Sequence, residues 1–251
     1  MLEIVRGEKT RPETIAAAVG FANAIGHLPL VVPDVPGFVV NRLLVPYLSA
    51  AMQLLAEGVT VEAVETAAEA FGMLWGPLRL MDGIGLDTAL HCGWVIAGSS
   101  ADLVVGSPLL VAMVKAKQLG RKTRGGIFLY ESDDPSPRGL NPALDEALAR
   151  WPQTPRPHTD ETIVLRLLAP MLLEATRMLP RGDVRDAGQI DLAVILGFGF
   201  PPWRGGLLYW ADQLGAAKIV ELFGALDYLG ARAEPTPLLL EMAQRGGTFY
   251  A

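Results

Sequence analysis

Asn41 stands at the head of an otherwise apolar helical stripe, where a side-chain amide costs free energy unless it is hydrogen-bonded. Two uses fit it. The amide can cap the helix that opens after Pro36-Gly37-Phe38, since Asn is favoured at such positions. It can instead be held for a polar ligand. Glu3, inside the apolar segment LEIVR, is a second polar residue in an apolar setting, although a carboxylate so near a chain start is ordinarily solvated. The loop GRKTRGG (120–126) puts three cations beside glycine N–H groups and could meet phosphates, but a solvated basic turn is the expected reading. His91 beside Cys92 lacks two further ligands at zinc spacing, so no metal site is expected. Cys92 itself lies in an apolar run, where a thiol tends to be inert. The glycine-rich stretch 76–85 lacks the preceding strand that a dinucleotide-binding loop requires, so no cofactor-binding residue is assigned there.

What sets Asn41 apart is a second copy of its surroundings. Residues 40–58 read VNRLLVPYLSAAMQLLAEG and residues 164–182 read VLRLLAPMLLEATRMLPRG. Arg42, Leu43, Leu44, Pro46, Leu48, Ala51, Leu55 and Gly58 recur, at a constant separation, as Arg166, Leu167, Leu168, Pro170, Leu172, Ala175, Leu179 and Gly182. Leu165 stands where Asn41 would be. The repeat continues: Thr66, Ala68 and Gly72 line up with Asp191, Ala193 and Gly197, and Asp82 with Gly85 lines up with Asp212 and Gly215. Because Arg42 and Arg166 occur in both copies, they are expected to make a structural salt bridge or helix contact rather than to touch substrate. Asp82 and Asp212 are expected to be paired turn or cap residues. Two copies are too few for a solenoid, so a duplicated helical domain is the better reading.

The elements that must position these residues follow from local pattern. LEIVR (2–6) and Leu28–Val32 read as strands. Thr10 and Glu13 have capping-box spacing with Pro12 in the first turn, which predicts a helix over 11–25 ended by Gly26. This strand–helix–strand opening is too small to bury its own apolar faces. After the PDVPGF break, helices are predicted from Val39, over 61–71, after the glycine-rich turn FGMLWGPLRLMDGIGLD (71–87), over 108–117, over 142–150, from Glu161, and over 236–245. Pro46 should kink the first of these or open it locally. WPQTPRPHTD (151–160) reads as a linker, and 131–142 as surface.

PDVPGFVVNRLLVPYL, the AEG at 56–58 and FGMLWGPLRLMDGIGLD together resemble the C-terminal domain of L-3-hydroxyacyl-CoA dehydrogenases. The second copy, with GFGFPPWRGGLLYWADQLG and PLLLEMAQRGGTFY, resembles the last domain of the multifunctional α-subunit of bacterial fatty-acid oxidation. The resemblance implies a mainly α fold: two tandem helical domains of this dehydrogenase type (37–150 and a degenerate 151–251), preceded by a remnant of an NAD-binding Rossmann domain (1–36). It also implies a chemistry. In that family a histidine takes the proton of the 3-hydroxyl while hydride leaves for nicotinamide, and a glutamate orients the imidazole. By position, Glu3 matches that glutamate. Asn41 matches the asparagine that contacts the reacting substrate, and both are therefore expected as catalytic residues, Asn41 also as substrate-binding. His27, His91 and His158 have no matching context, and neither the histidine motif nor a G-x-G-x-x-G fingerprint is found.

The expected function is therefore the substrate-closing part of an NAD-dependent 3-hydroxyacyl-CoA dehydrogenase of β-oxidation, lacking the cofactor domain and the histidine. Such a chain is expected to be inactive alone and to bind no NAD by itself. Its expected partners are acyl-CoA and a separate NAD-binding Rossmann domain or other β-oxidation subunit. The alternative is a non-catalytic acyl-CoA-binding, dimerisation or assembly module. A net charge of −6 argues against nucleic acid as the main partner. The apolar run 14–33 contains Asn23, Gly26, His27 and Pro29, so no membrane span is expected. One cysteine and no signal peptide point to the cytoplasm.

Overall fold

The computed structural model describes residues 1–99, 104–131, 134–150 and 155–250. The first residues of the expected linker, Trp151–Thr154, and two of the expected surface segment, Ser132 and Asp133, lie outside the described residues. The fold is mainly helical. Its elements are β1 (Leu2–Arg6), α1 (Pro12–Ala24), β2 (Pro29–Pro33), α2 (Val40–Ala56), α3 (Val61–Phe71), α4 (Pro77–Ile84), α5 (Leu86–Ala97) and α6 (Pro108–Lys115). Then come β3 (Phe128–Leu129), β4 (Gly139–Leu140), α7 (Pro142–Leu148), α8 (Asp160–Arg181), α9 (Ala187–Phe198), α10 (Leu207–Leu214), α11 (Ala216–Gly224) and α12 (Pro237–Arg245).

The chain forms two compact units. One is Met1–Leu44 with Met171–Ala251, the other Val45–Pro170, so the boundary falls inside α2 and α8. The units are thus interleaved along the sequence. In the discontinuous unit, β1 and β2 pair in parallel, Leu2 opposite Pro29 through Arg6 opposite Pro33. Their alternation buries Ile4, Leu30 and Val32. α1 lies against the pair but buries only Ala22, leaving Phe21 and Ile25 exposed. Thr10 is not its cap, contrary to the capping-box spacing. Arg11 holds that position with no side-chain bond, and the Thr10 hydroxyl instead accepts from the Gly7 N–H at 3.1 Å. The core of this unit includes Leu43, Met171, Leu172, Met178, Ile190, Val194, Phe200 and Leu207.

The continuous unit has its own core of Leu54, Leu55, Val64, Leu78, Met81, Leu86, Ile96 and Met113. Three of its helices start at residues whose side chains accept orphan N–H groups. Thr60 accepts from Ala63 before α3, Ser107 from Leu110 before α6 and Asn141 from Ala143 before α7. Pro46 lies inside α2 without ending it, since the helix runs from Val40 to Ala56.

Each unit contains the same carboxylate device, which corrects the alignment of the repeat. Glu65 on α3 accepts from the N–H groups of Leu78 (2.8 Å) and Arg79 (3.4 Å) in the first turn of α4. Asp191 on α9 accepts from Leu208 (2.7 Å) and Tyr209 (3.0 Å) in the first turn of α10. The counterpart of Asp191 is therefore Glu65, not Thr66. Likewise Gly72 and Gly199 are the left-handed caps of α3 and α9, so Gly197 is not the partner of Gly72. A Cβ on Gly197 would come to 2.8 Å from Val40 Cγ1, so this glycine lets α9 approach the head of α2.

Candidate functional site: the head of α2

The turn before α2 is built from PDVPGF. Gly37 and Phe38 both take positive φ, 81° and 49°, and the second is strained for a non-glycine residue. Phe38 donates its N–H to Val35 O at 3.0 Å, and Arg42 N donates to Gly37 O at 3.2 Å. This hairpin-like reversal carries the chain from β2 into α2.

Glu3, from β1, closes the site. Its Oε1 accepts from the N–H of Val39 at 2.9 Å and of Val40 at 3.2 Å, which satisfies two donors that the first turn of α2 cannot pair internally. A carboxylate at a helix N-terminus is also favoured by the helix dipole. Burial nevertheless pushes the Glu3 carboxyl above its ordinary value, and the two backbone bonds only moderate that rise. Asn41 follows at once, half-buried and already inside the helix. The cap that sequence offered to Asn41 is thus provided by Glu3. The structure brings the two candidates together at one helix terminus.

Arg42 anchors the same turn. Its Nε and Nη2 both donate to Glu174 Oε1 at 2.7 Å, and Nη1 reaches Pro36 O at 3.5 Å. Arg181 adds a further donor to the same Glu174 oxygen at 2.7 Å. Glu174 is fully buried. Arg166, the repeat counterpart of Arg42, makes a two-pronged ion pair with Glu57 in the other unit, both bonds 2.8 Å. His158 Nε2 lies 3.0 Å from Glu57 Oε2. Burial drives the Glu57 carboxyl upward, but the bonds and charge of Arg166 outweigh it and the net direction is down. The expectation that both arginines are structural holds.

Asp82 is more than a cap. It accepts from Ile127 and Phe128 N–H (2.9 and 2.8 Å) and from the Tyr130 hydroxyl (3.1 Å), pinning the segment after the basic loop. Burial raises its carboxyl to about 6 and, with the Asp82 charge, the Tyr130 hydroxyl far above its ordinary value. Asp212 similarly accepts from Phe249 and Tyr250 N–H, while the Tyr250 hydroxyl donates to Asp191 at 2.6 Å. Within GRKTRGG, Lys122 is paired with Asp87, and Arg121 and Arg124 are exposed. Cys92 is partly buried, packs against Val45 and Ile96, and has its thiol pushed up by burial. His27 and His91 are exposed and belong to none of these clusters. Glu57, Glu65 and Glu174 were not singled out from sequence. Glu57 lies in the AEG motif, but Glu174 stands where the first copy has Ala50, so the repeat gave no signal for it.

The turn between β1 and α1 does not fit a dinucleotide phosphate. Its glycine, Gly7, already gives its N–H to Thr10, and the loop holds the acidic Glu8. Among the described residues, no helix is long and apolar enough to cross a membrane.

Comparison with known proteins agrees with the helical architecture. Residues 37–130 match the family described as 3-hydroxyacyl-CoA dehydrogenase, C-terminal domain. The whole chain is 38% identical, over 254 aligned residues, to the fatty acid oxidation complex subunit alpha of Pseudomonas savastanoi pv. phaseolicola, and spans 35% of that relative. It is 39% identical to the same subunit of Pseudomonas aeruginosa and spans 36% of it. Among solved structures, 3-hydroxybutyryl-CoA dehydrogenase from Escherichia coli K12 has the same fold: TM-score 0.76, 22% identity, 97% of this chain and 67% of that one. The dehydrogenase part of multifunctional enzyme 1 from C. elegans matches with TM-score 0.65 at 25% identity, over 95% of this chain and 55% of that one. Residues 37–130 thus match the C-terminal domain of 3-hydroxyacyl-CoA dehydrogenases, and the whole chain is similar to about a third of the fatty acid oxidation complex alpha subunit.

Proposed function

We propose that this chain supplies the acyl-CoA-closing part of an NAD-dependent 3-hydroxyacyl-CoA dehydrogenase and works with an NAD-binding domain carried by another segment or another chain. The observation that carries this reading is the head of α2, where Glu3 holds the first turn of the helix that carries Asn41. The resemblance gives these two residues catalytic roles, and the geometry supports giving them one site. Both backbone bonds to Glu3 use Oε1. Oε2 is then the oxygen assigned to an imidazole from the cofactor-bearing segment. Asn41, fixed by the helix and by the Arg42–Glu174 pair, is assigned to the reacting part of the substrate. In this reading the linear scheme of remnant, first copy and degenerate copy describes ancestry, and the second copy keeps Glu174 to brace the first.

The cofactor is assigned elsewhere because the β1–α1 turn does not suit its phosphates. The parallel pair β1–β2, with Leu2, Phe21, Ile25 and Leu28 exposed, favours a partner that extends this small sheet and covers α1. The test is complementation. The chain is mixed with a separately produced NAD-binding domain from a homologous dehydrogenase, and 3-hydroxyacyl-CoA-dependent NADH formation is followed. Turnover by the mixture and none by the chain alone is the expected outcome. A chain that binds acyl-CoA but never supports turnover would instead be a binding or assembly module.

A further inference from the structure

We infer that Pro46 and Pro170 form a paired hinge through which the two compact units change orientation, a property that goes beyond the proposed function and does not depend on it. The chain passes between the units twice, from Leu44 to Val45 inside α2 and from Pro170 to Met171 inside α8. Both passages are therefore helix, not loop. A proline stands at each: Pro170 is the last residue before its crossing, and Pro46 the second after its own.

These two prolines differ from the other prolines in the α-helices. Pro12, Pro77, Pro108, Pro142 and Pro237 open α1, α4, α6, α7 and α12, where the N–H they lack would have no partner within the helix. Pro180 is the last residue but one of α8. Pro46 and Pro170 stand instead in helix interiors. Neither can donate to the carbonyl four residues back, which is that of Arg42 in one helix and of Arg166 in the other. Loss of that bond, with the clash of the ring against the preceding turn, is a usual cause of sharp helix bends.

The ion pairs of these helices lie on either side of the prolines. Arg42 on α2 and Glu174 on α8 both belong to the discontinuous unit and meet at 2.7 Å. Glu57, just past α2, and Arg166 on α8 both belong to the continuous unit and meet at 2.8 Å. Each pair ties the two helices together within one unit, and neither spans the boundary. Rigid pieces joined at a few positions that absorb the dihedral change are the makings of a hinge. Glu3, Val39, Val40 and Asn41 all lie on one side of it, so the bend carries the head of α2 as one piece.

The experiment is a distance measurement between paired nitroxide labels on the full chain, by double electron–electron resonance in a Cys92→Ala background. One label goes on each unit, through Lys218→Cys on α11 and Glu69→Cys on α3, both exposed. A control pair, Glu69→Cys with Glu146→Cys, stays within the continuous unit. A bend of about 20° at a proline moves a label ~20 Å away by about 7 Å, so distances between the units should spread by several ångströms more than those of the control. Pro46→Ala combined with Pro170→Ala should collapse that spread to the control width and leave the control unchanged. If denaturant unfolding shows the double variant to be misfolded, the single variants decide, each being expected to narrow the spread in part. A distribution between the units as narrow as the control before any proline is replaced would overturn the hinge. So would a spread that is unchanged in the folded alanine variants while their stability shifts, which would make the prolines kinks of structural consequence alone.

Discussion

One oxygen of Glu3 meets two N–H groups of a helix terminus, and the next residue along the helix is Asn41. Such a carboxylate both stabilises the fold and presents its second oxygen, so its replacement reads out in two ways. Asn41 separates the roles more cleanly because the helix does not use it as a cap. In the complemented enzyme, Asn41→Ala should lower kcat/KM by about 100–1000-fold, the usual loss when one placed hydrogen-bonding group is removed from a reacting centre. Thermal unfolding of the same variant should be nearly unchanged, and a large drop in Tm with little kinetic effect would make Asn41 structural. A second expectation concerns Glu65, whose carboxyl burial raises from 4.5 to about 7. Between those values the folded chain holds more protons than the unfolded one, so stability falls as pH rises through that window. Denaturant unfolding at pH 5 and pH 8 should show Glu65→Gln losing less stability on going to pH 8 than the natural chain does, by on the order of 2 kcal/mol. Equal losses would mean that the ionised carboxylate is well held. At this scale the sequence made Arg42 and Arg166 legible because they recur. Their acceptors were not legible: Glu57 corresponds to Arg181 and Glu174 to Ala50, so the pairs are not copies of each other.

The recurring element is a helix start held by a carboxylate from the preceding helix, Glu65 under α4 and Asp191 under α10. A glycine makes room in each case. A Cβ on Gly76 would run into the Glu65 carboxylate, and one on Gly206 into that of Asp191. Gly76 is the cleaner probe because its φ of −64° suits any residue, whereas Gly206 at 113° would add backbone strain. Gly76→Ala should destabilise by about 1–3 kcal/mol, the usual cost of overpacking. Gly139→Ala, with open space around it, should be close to neutral. Equal behaviour of the two would remove the close approach from the account. Helices could be read from sequence where an N-cap, a proline in the first turn and a terminal glycine coincide, as for α12, or where the cap occurs with one of the other two, as for α3 (glycine) and α6 (proline). The capping box at Thr10 failed because its hydroxyl turned back to Gly7, a local bond that competes with capping. The alignment of α3 with α9 slipped, and the matching carboxylates Glu65 and Asp191 together with the left-handed glycines at 72 and 199 reveal it.

Across the molecule, the sequence repeat and the compact units divide the chain differently, because α2 and α8 each contribute to both units. Linear reading finds duplicated motifs but not which halves of long helices pack together, since that depends on contacts between residues more than a hundred positions apart, such as Arg42 and Glu174. In the discontinuous unit, α1 buries little beyond Ala22, whereas the stretch of α8 from Met171 to Met178 is almost wholly buried. Hydrogen exchange of the chain alone should therefore find α1 opening at much lower free energy than that stretch. An NAD-binding domain that extends β1–β2 should slow exchange in 1–33 on mixing. Unchanged exchange there would mean that the sheet does not recruit it.

NADH formation from a 3-hydroxyacyl-CoA is measured for the chain, for a homologous NAD-binding domain and for their mixture, each freed of host dehydrogenase. Turnover is expected in the mixture, none in either component, and its loss when the chain carries Asn41→Ala. Turnover by the chain alone, or a mixture in which Asn41→Ala is as active as the natural sequence, would contradict the proposed function.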